Sequence, residues 1–349
     1  MHAHMRKTKI VVTIGPSTES EEMAEKILSA GMDVARLNFS HGDTAVHEKR
    51  LLNIRAASEK TGLPCMILQD LGGPKIRIGD FAAGAVTLKD GDEFTLTTDY
   101  ILGDQKKVTV NYPNLPHEVK VGHFIFLRDG TVKLQVAEIK GADVVCRVLI
   151  GGESRDKSGV NLPNSNLSAK SLTDKDIADL EFGIKNKVDF VALSFVRSAA
   201  DISELRKILD ARGCGAKIVA KIETPQAMQN IDDIILAADI LMVARGDLAI
   251  ETAFEKVPIE QKVITEKCNS AGKSTIVATQ MMESMIKNTT PTRAEVSDVA
   301  NAVLDGAEMV MLSEETALGD NPELVVRDMA AIIAETERDA GIVKNEMAS

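Results

Sequence analysis

Cysteine is scarce in this chain: Cys65, Cys146, Cys214 and Cys268 are widely separated and form no C-x-x-C pair. Neither a disulfide framework nor a zinc site is indicated, and reduced, buried thiols are expected. The six histidines show no H-E-x-x-H spacing, which argues against zinc chemistry. Positive charge is in deficit, with 41 Lys and Arg against 52 Asp and Glu and a net charge of -11. General affinity for nucleic acid or an anionic membrane is therefore not expected, and a small molecule is the better partner. No uninterrupted apolar run approaches the roughly 18 residues of a membrane span, and the N-terminal "MHAHMRKTK" leads directly into strand-like sequence. A cytosolic, cytoplasmic protein is expected. A P-loop is lacking too, since "AGKST" has Lys267 where a glycine is required five residues before Gly272, and the segment precedes a strand.

What the chain does have is eight short apolar runs: "KIVVTIG", "DVARLNFS", "CMILQD", "FVALSF", "KIVAKIE", "ILMVARGD", "STIVATQ" and "MVMLSEE". Helix-like patterns lie between or after them, such as "SEEMAEKILSAG" and "SAADISELRKILDARG", several ending at a glycine suited to a helix C-terminus. Eight strand-then-helix units predict an α/β fold of the TIM (β/α)8 barrel type. The regularity breaks after the third strand. From about Pro74 to Pro163 the sequence alternates polar and apolar residues, with "KDGD" and "RDGT" punctuating it as hairpin loops do. This predicts a small all-β domain inserted after the third barrel strand: residues 1–73 and 164–349 form the barrel and residues 74–163 an inserted, barrel-like lid.

Polar residues at the C-terminal strand ends are the natural active-site candidates in such a barrel. They are Arg36, Asn38 and Ser40 after the second strand, Asp70 after the third, Ser194 and Arg197 after the fourth, and Lys221 and Glu223 at the fifth. Asp247, Thr279 and the pair Ser313 and Glu315 follow from the sixth, seventh and eighth. Lys221 and Glu223 are two apart on a strand and so project to the same side. On most proteins such a pair is a solvated face or a structural ion pair, but here the preceding "IVA" is apolar without alternation, so the charges mark the end of a buried strand. Two carboxylates and a lysine suit phosphoryl transfer, with Glu223 and Asp247 as hard oxygen ligands for Mg²⁺ and with Lys221 and Arg36 on the moving phosphoryl group. His41 is either a nucleotide contact or a solvated loop residue. Met281, Met282 and Met285 read as helix core.

The strings "RLNFSHG", "DLGGPKIR", "GVNLP", "KIE", "MVARGDL", "ATQMMESM", "PTRAEVSDVANAVLDGAE" and "MLSEETA" occur in an order that resembles the pyruvate kinase family, from about Arg6 to Asp339. The resemblance implies an enzyme of glycolysis that moves the phosphoryl group of phosphoenolpyruvate to ADP, giving pyruvate and ATP. A metal-dependent phosphoenolpyruvate or pyruvate lyase and a catalytically weak ligand sensor are the alternatives. By this likeness Lys221 stabilises charge on the phosphoryl group and enolate, and Glu223 and Asp247 bind Mg²⁺, or Mn²⁺ in its place. Thr279, Ser194 and Gly246 with Asp247 line the substrate side, and Ser313 and Glu315 resemble a proton-relay region. Arg36, Asn38, His41, Arg77, Pro16 and Lys157 match the nucleotide and phosphate side. Asn38, Ser40, Asp70 and Leu71 match the monovalent-cation region.

Departures from the family pattern carry expectations of their own. Lys75 stands where potassium-dependent relatives have glutamate, so Lys75 replaces K⁺ and potassium is not required. Glu314 stands where glycine is common, adding bulk and charge beside the eighth strand end. In "RDKSGVNLP" Lys157 and Ser158 precede the glycine where a lysine usually stands directly before it, so Lys157 is a phosphate contact only as a candidate. The chain stops at Ser349, and the family's C-terminal effector domain is expected to be absent. A homo-oligomer is the family's habit.

Overall fold

The structure is a computed structural model that describes residues 6–342 apart from Asn164 and Asn166. The expected start of the second barrel segment, Asn164, and the chain end at Ser349 lie outside the described residues. Among the described residues, eight parallel strands close into a barrel in sequence order: Lys9–Thr13, Val34–Asn38, Met66–Asp70, Phe190–Leu193, Lys217–Ile222, Ile240–Ala244, Ser274–Ala278 and Met309–Leu312. The first strand pairs with both the second and the eighth, which closes the ring. Each coincides with one of the eight apolar runs, and the TIM-barrel fold is borne out.

The helices form where capping chemistry and apolar spacing agree. Helix Glu21–Ala30 starts at Ser20, whose hydroxyl accepts from the Met23 N–H, and stops at Gly31, whose φ of 127° few other residues adopt. Helix Arg293–Leu304 opens with a reciprocal Thr292–Glu295 capping box.

Inside the barrel, alternate strand positions build an apolar core from Val11, Val34, Leu68, Ala192, Val219, Met242, Ile276 and Met311, among others. Two residues further along four of these strands stand Thr13, Arg36, Asp70 and Lys221. The side-chain period of a strand is two, so the apolar interior is capped at its C-terminal end by a polar layer on the same inward face.

The described chain divides into two compact units. One holds the barrel: residues up to Gly73, Ser171–Arg245 and Pro258 onward. The other takes in Pro74–Lys170 together with Gly246–Val257. Its strands form a six-stranded mixed sheet, in which Phe124–Leu127, Val132–Lys140, Asp143–Ile150 and Glu93–Thr97 are consecutive neighbours, and a two-stranded ladder. A core including Phe94, Leu96, Ile125, Leu134, Val144 and Val148 fills it.

The "RDGT" loop is the hairpin expected, with Arg128, Asp129 and Gly130 all at positive φ between two paired strands. The "KDGD" turn is different. It joins Ala85–Leu88 to Glu93–Thr97, but these do not pair: the first lies against Gly152–Arg155 and the second against Asp143–Ile150. A glycine turn sets the local reversal, whereas the pairing was decided by strands some sixty residues away in sequence. Of the cysteines, Cys146 and Cys268 are buried, while Cys65 and Cys214 are partly accessible; all are free thiols.

Candidate active site

The polar layer at the end of the barrel is one connected network. Lys221 Nζ lies 2.7 Å from Ser194 Oγ, 3.1 Å from Glu223 Oε1 and 3.3 Å from Asp70 Oδ1. The other Asp70 oxygen accepts from Arg36 Nε and Nη2, both at 2.7 Å. Arg36 Nη1 donates to Thr13 Oγ1 at 2.9 Å, and that hydroxyl donates onward to the Leu312 carbonyl. Ser194 Oγ donates to the Leu71 carbonyl, and the Phe195 N–H donates to Glu223 Oε2 at 2.5 Å.

Burial makes this arrangement demanding. Asp70 is wholly buried and Glu223 only 1% exposed. Ionised carboxylates survive there only if paired. Burial alone would raise the Asp70 carboxyl, but the Lys221 ammonium and Arg36 guanidinium outweigh it and hold its pKa below the ordinary value. Positive and negative groups alternate from Arg36 through Asp70 and Lys221 to Glu223. Such a row can meet an anion with cations already aimed, and a divalent cation with carboxylate oxygens already in place.

Residues 5–326 match the family model described as pyruvate kinase, barrel domain. The pyruvate kinase of Corynebacterium glutamicum is 47% identical over 337 residues, covering 97% of this chain and 71% of that protein. That of Geobacillus stearothermophilus is 47% identical over 336 residues, covering 95% of this chain and 57% of its own length. A crystal structure of a pyruvate kinase from Cryptosporidium parvum superposes with a TM-score of 0.92 at 41% identity, covering 97% of this chain and 71% of that one. The chain belongs to the pyruvate kinase family.

The recognition made from the ordered motifs is borne out, and with it the enzyme class, a kinase and transferase of that family. Pyruvate kinases use a divalent metal, and Glu223 offers the hard oxygen donors this requires. Among the described residues no three His, Cys, Asp or Glu side chains converge as a metal cage. No helix among the described residues is long and apolar enough to cross a membrane.

Around the network the other strand ends contribute separate clusters. Asn38 closes the second strand, and its Oδ1 accepts from the Ser40 N–H at 3.1 Å; the exposed His41 donates its N–H to the Asn38 carbonyl. Pro16 is exposed on the first strand's loop. It follows Gly15, where any Cβ would come within 2.6–2.8 Å of Ala317. Glu315 is buried, and its two oxygens accept from the Ser313 and Met282 N–H groups. Burial raises its pKa against the pull of those hydrogen bonds. Glu314 is exposed, so its bulk does not enter the barrel. Thr279 sits at the end of the seventh strand with φ of 78°. Arg197 is half-buried, and its N–H caps onto Asp201.

The second unit carries Lys75, Arg77, Lys157, Gly246 and Asp247. Arg77 Nη1 donates to the Lys157 carbonyl at 3.1 Å, and its backbone N–H to Asn111 Oδ1 at 2.8 Å. Lys157 is exposed at φ of 57° with its ammonium 4.0 Å from Asp80. Lys75 is half-buried, and a Cβ added to Gly159 would meet its Cε at 3.3 Å, so the end of its methylene chain lies beside Gly159. Gly246 and Asp247 stand in the first turn of helix Arg245–Glu251.

Three participants were not picked out from the sequence. Thr13, the polar residue ending the first strand, carried the same signal as the others and could have been collected with them. The Phe195 N–H is backbone and leaves no signal in residue type. Arg245 was visible only as the residue before Gly246.

Proposed function

We propose that this chain transfers the phosphoryl group of phosphoenolpyruvate to ADP, giving pyruvate and ATP in glycolysis. The observation that carries this reading is Lys221 held between Asp70, Glu223 and Ser194 at the mouth of the barrel. An ammonium fixed before substrate arrives needs no reorganisation when charge develops, which is where electrostatic catalysis gains most. Arg36, fixed by a two-point grip on Asp70, approaches the same region as a second cation for phosphate.

Glu223 and Asp247 hold the divalent metal, Mg²⁺ with Mn²⁺ as a substitute. When bound, the metal would supply neutralisation of phosphate charge. The Lys221 ammonium, held by its carboxylate neighbours, steadies the transferred group and then the enolate oxygen. Ser194, Gly246, Asp247 and Thr279 line the phosphoenolpyruvate side, and Asn38, His41, Arg77, Pro16 and Lys157 the nucleotide side. Protonation of the enolate passes through water near Thr279, with Ser313 and Glu315 in the relay. The raised pKa of Glu315 suits a carboxyl that exchanges protons nearer neutrality.

Potassium is not required. Lys75 supplies the positive charge in place of the ion beside Asn38, Ser40, Asp70 and Leu71. The Leu71 carbonyl, the only oxygen that residue offers, already accepts from Ser194. The enzyme works as a homo-oligomer, which sedimentation would test. A coupled assay of pyruvate formation from phosphoenolpyruvate and ADP, run with and without Mg²⁺ and K⁺, tests the whole reading. Metal-dependent, potassium-indifferent turnover is expected. Binding of phosphoenolpyruvate without pyruvate formation would instead favour a ligand sensor.

A further inference from the structure

Thr279 and Gln280 follow one another at φ of 78° and 55°. For a β-branched residue the left-handed region is costly, so the surroundings must impose it. What imposes it is one side chain from the neighbouring strand end. Strand Ile240–Ala244 runs beside Ser274–Ala278 with Ala244 opposite Ala278, which puts Arg245 level with Thr279. The Arg245 guanidinium donates to the Thr279 carbonyl from Nε at 3.1 Å and from Nη2 at 2.6 Å, and to the Ala278 carbonyl from Nε at 3.2 Å. Nη1 is held by Asp298 at 2.8 Å and by Gln261 Oε1 at 3.3 Å, while Nη2 also reaches Met281 Sδ at 2.9 Å.

All three guanidinium nitrogens are thus turned toward protein atoms, and the side chain is only 14% exposed. An arginine so engaged is poorly placed to bind a phosphate. Its fork instead fixes the peptide plane between Thr279 and Gln280, and Asp298 both neutralises and orients the fork.

We infer that Arg245, seated by Asp298, is a positioning residue for Thr279: it holds that residue in a costly backbone conformation and so aims its hydroxyl for the protonation step. The inference rests on the catalytic reading above for its consequence, although its geometric part stands apart from it. It also couples two strand ends, because Arg245 immediately precedes the Gly246–Asp247 turn.

Arg245→Lys keeps the charge but loses the fork, and Asp298→Asn keeps the shape but loses the charge. For Arg245→Lys the turnover number should fall by on the order of 10²-fold, as misplacement of a reacting group by about 1 Å does. KM for phosphoenolpyruvate and ADP should change much less. Exchange of the pyruvate methyl protons with D₂O should fall along with turnover. In a Thr279→Ala background, Arg245→Lys should cost little more, because both changes remove one function. Crystals of Arg245→Lys should show Thr279 at negative φ. Turnover within twofold of the unaltered enzyme, additive losses in the Thr279→Ala background, or Thr279 still at positive φ would each overturn the inference. If Arg245→Lys does not fold, Asp298→Asn decides by the same measurements. If the unaltered chain forms no pyruvate, the catalytic reading has failed, and the Thr279 backbone in the variant still decides the positioning claim.

Discussion

The interior of the barrel and its C-terminal rim are made by the same strands at the same inward-facing positions, yet one is apolar and the other charged. Val11, Val34, Leu68 and Val219 fill the interior; two residues on, Thr13, Arg36, Asp70 and Lys221 form the rim. The interior is what the hydrophobic effect favours. The rim is not, since replacing buried ion pairs by apolar residues of similar volume is often neutral or stabilising. A fold does not need Asp70 and Glu223 buried beside a lysine. The contrast separates residues kept for folding from residues kept for chemistry, and each half of it can be broken separately.

The largest effect is expected at the rim. Lys221→Met should lower turnover by on the order of 10²-fold or more, because it removes one preorganised charge contact. It also takes one cation from the buried pair Asp70 and Glu223, which keep Arg36 and the Phe195 N–H, so a loss of up to about 3 kcal/mol of stability is expected. Adding Asp70→Asn to Lys221→Met should restore part of the melting temperature but none of the turnover. Near-normal turnover in folded Lys221→Met protein would remove Lys221 from the chemistry.

One layer lower, the signs reverse. Leu68 is wholly buried, and Leu68→Ala should cost about 2–5 kcal/mol through the cavity it leaves. Turnover per folded molecule should stay within about twofold, since burial and not position at the site is what the residue supplies. Urea melts paired with active-site titration measure the two quantities independently. A turnover loss as large as that of Lys221→Met would erase the distinction between interior and rim.

The sequence displayed this division because period-two patterning and barrel topology together say where each strand ends. "KIVAKIE" announces a buried strand and then two charges on one side, and the network at Lys221 and Glu223 follows from it. Likewise the eight apolar runs gave the eight strands, since both faces of a parallel barrel strand are covered and need apolar residues. Less legible were features set by partners distant in sequence. The strand before "KDGD" pairs with Gly152–Arg155 and not with its neighbour, and no local signal says so. Arg245 reaches Asp298 and Gln261, residues whose types are unremarkable on exposed helices. Backbone donors such as the Phe195 and Met282 N–H groups are invisible in any reading of residue types.

A smaller effect separates Asp70 and Glu315, two of the buried carboxylates of the barrel, by pH. Asp70 has a lowered pKa, so its ionised form contributes stability that is present above the unfolded-state value, about 4, and is lost as pH falls through the lower folded value. Glu315 has a raised pKa, so its contribution is present at low pH and is lost as pH rises through the folded value. Asp70→Asn should therefore flatten the acid limb of the stability curve, and Glu315→Gln should lessen the decline above it. Urea midpoints between pH 3 and 8 would show this. Identical slopes in the variants and the unaltered protein would mean that neither group differs between folded and unfolded states.

The smallest expected effect is the absence of one, and it concerns the monovalent cation. In the reading proposed above Lys75 takes the place that is glutamate in potassium-dependent relatives; the residue is half-buried, and a Cβ added to Gly159 would meet its Cε at 3.3 Å. An ammonium repels a second cation: two unit charges about 4 Å apart interact by about 4 kcal/mol at the effective dielectric of a protein surface. Leu71 offers no side-chain oxygen, and its carbonyl already accepts from Ser194, so the ligands a potassium ion needs are reduced along with its electrostatic attraction. Turnover should accordingly be the same in sodium, potassium or tetramethylammonium buffers of equal ionic strength. Lys75→Glu should reverse the local charge and create a requirement for K⁺, with little activity in tetramethylammonium. Strong activation of the unaltered enzyme by K⁺ would show that Lys75 does not occupy the place of the ion, and the rim would then need a monovalent cation to balance its carboxylates.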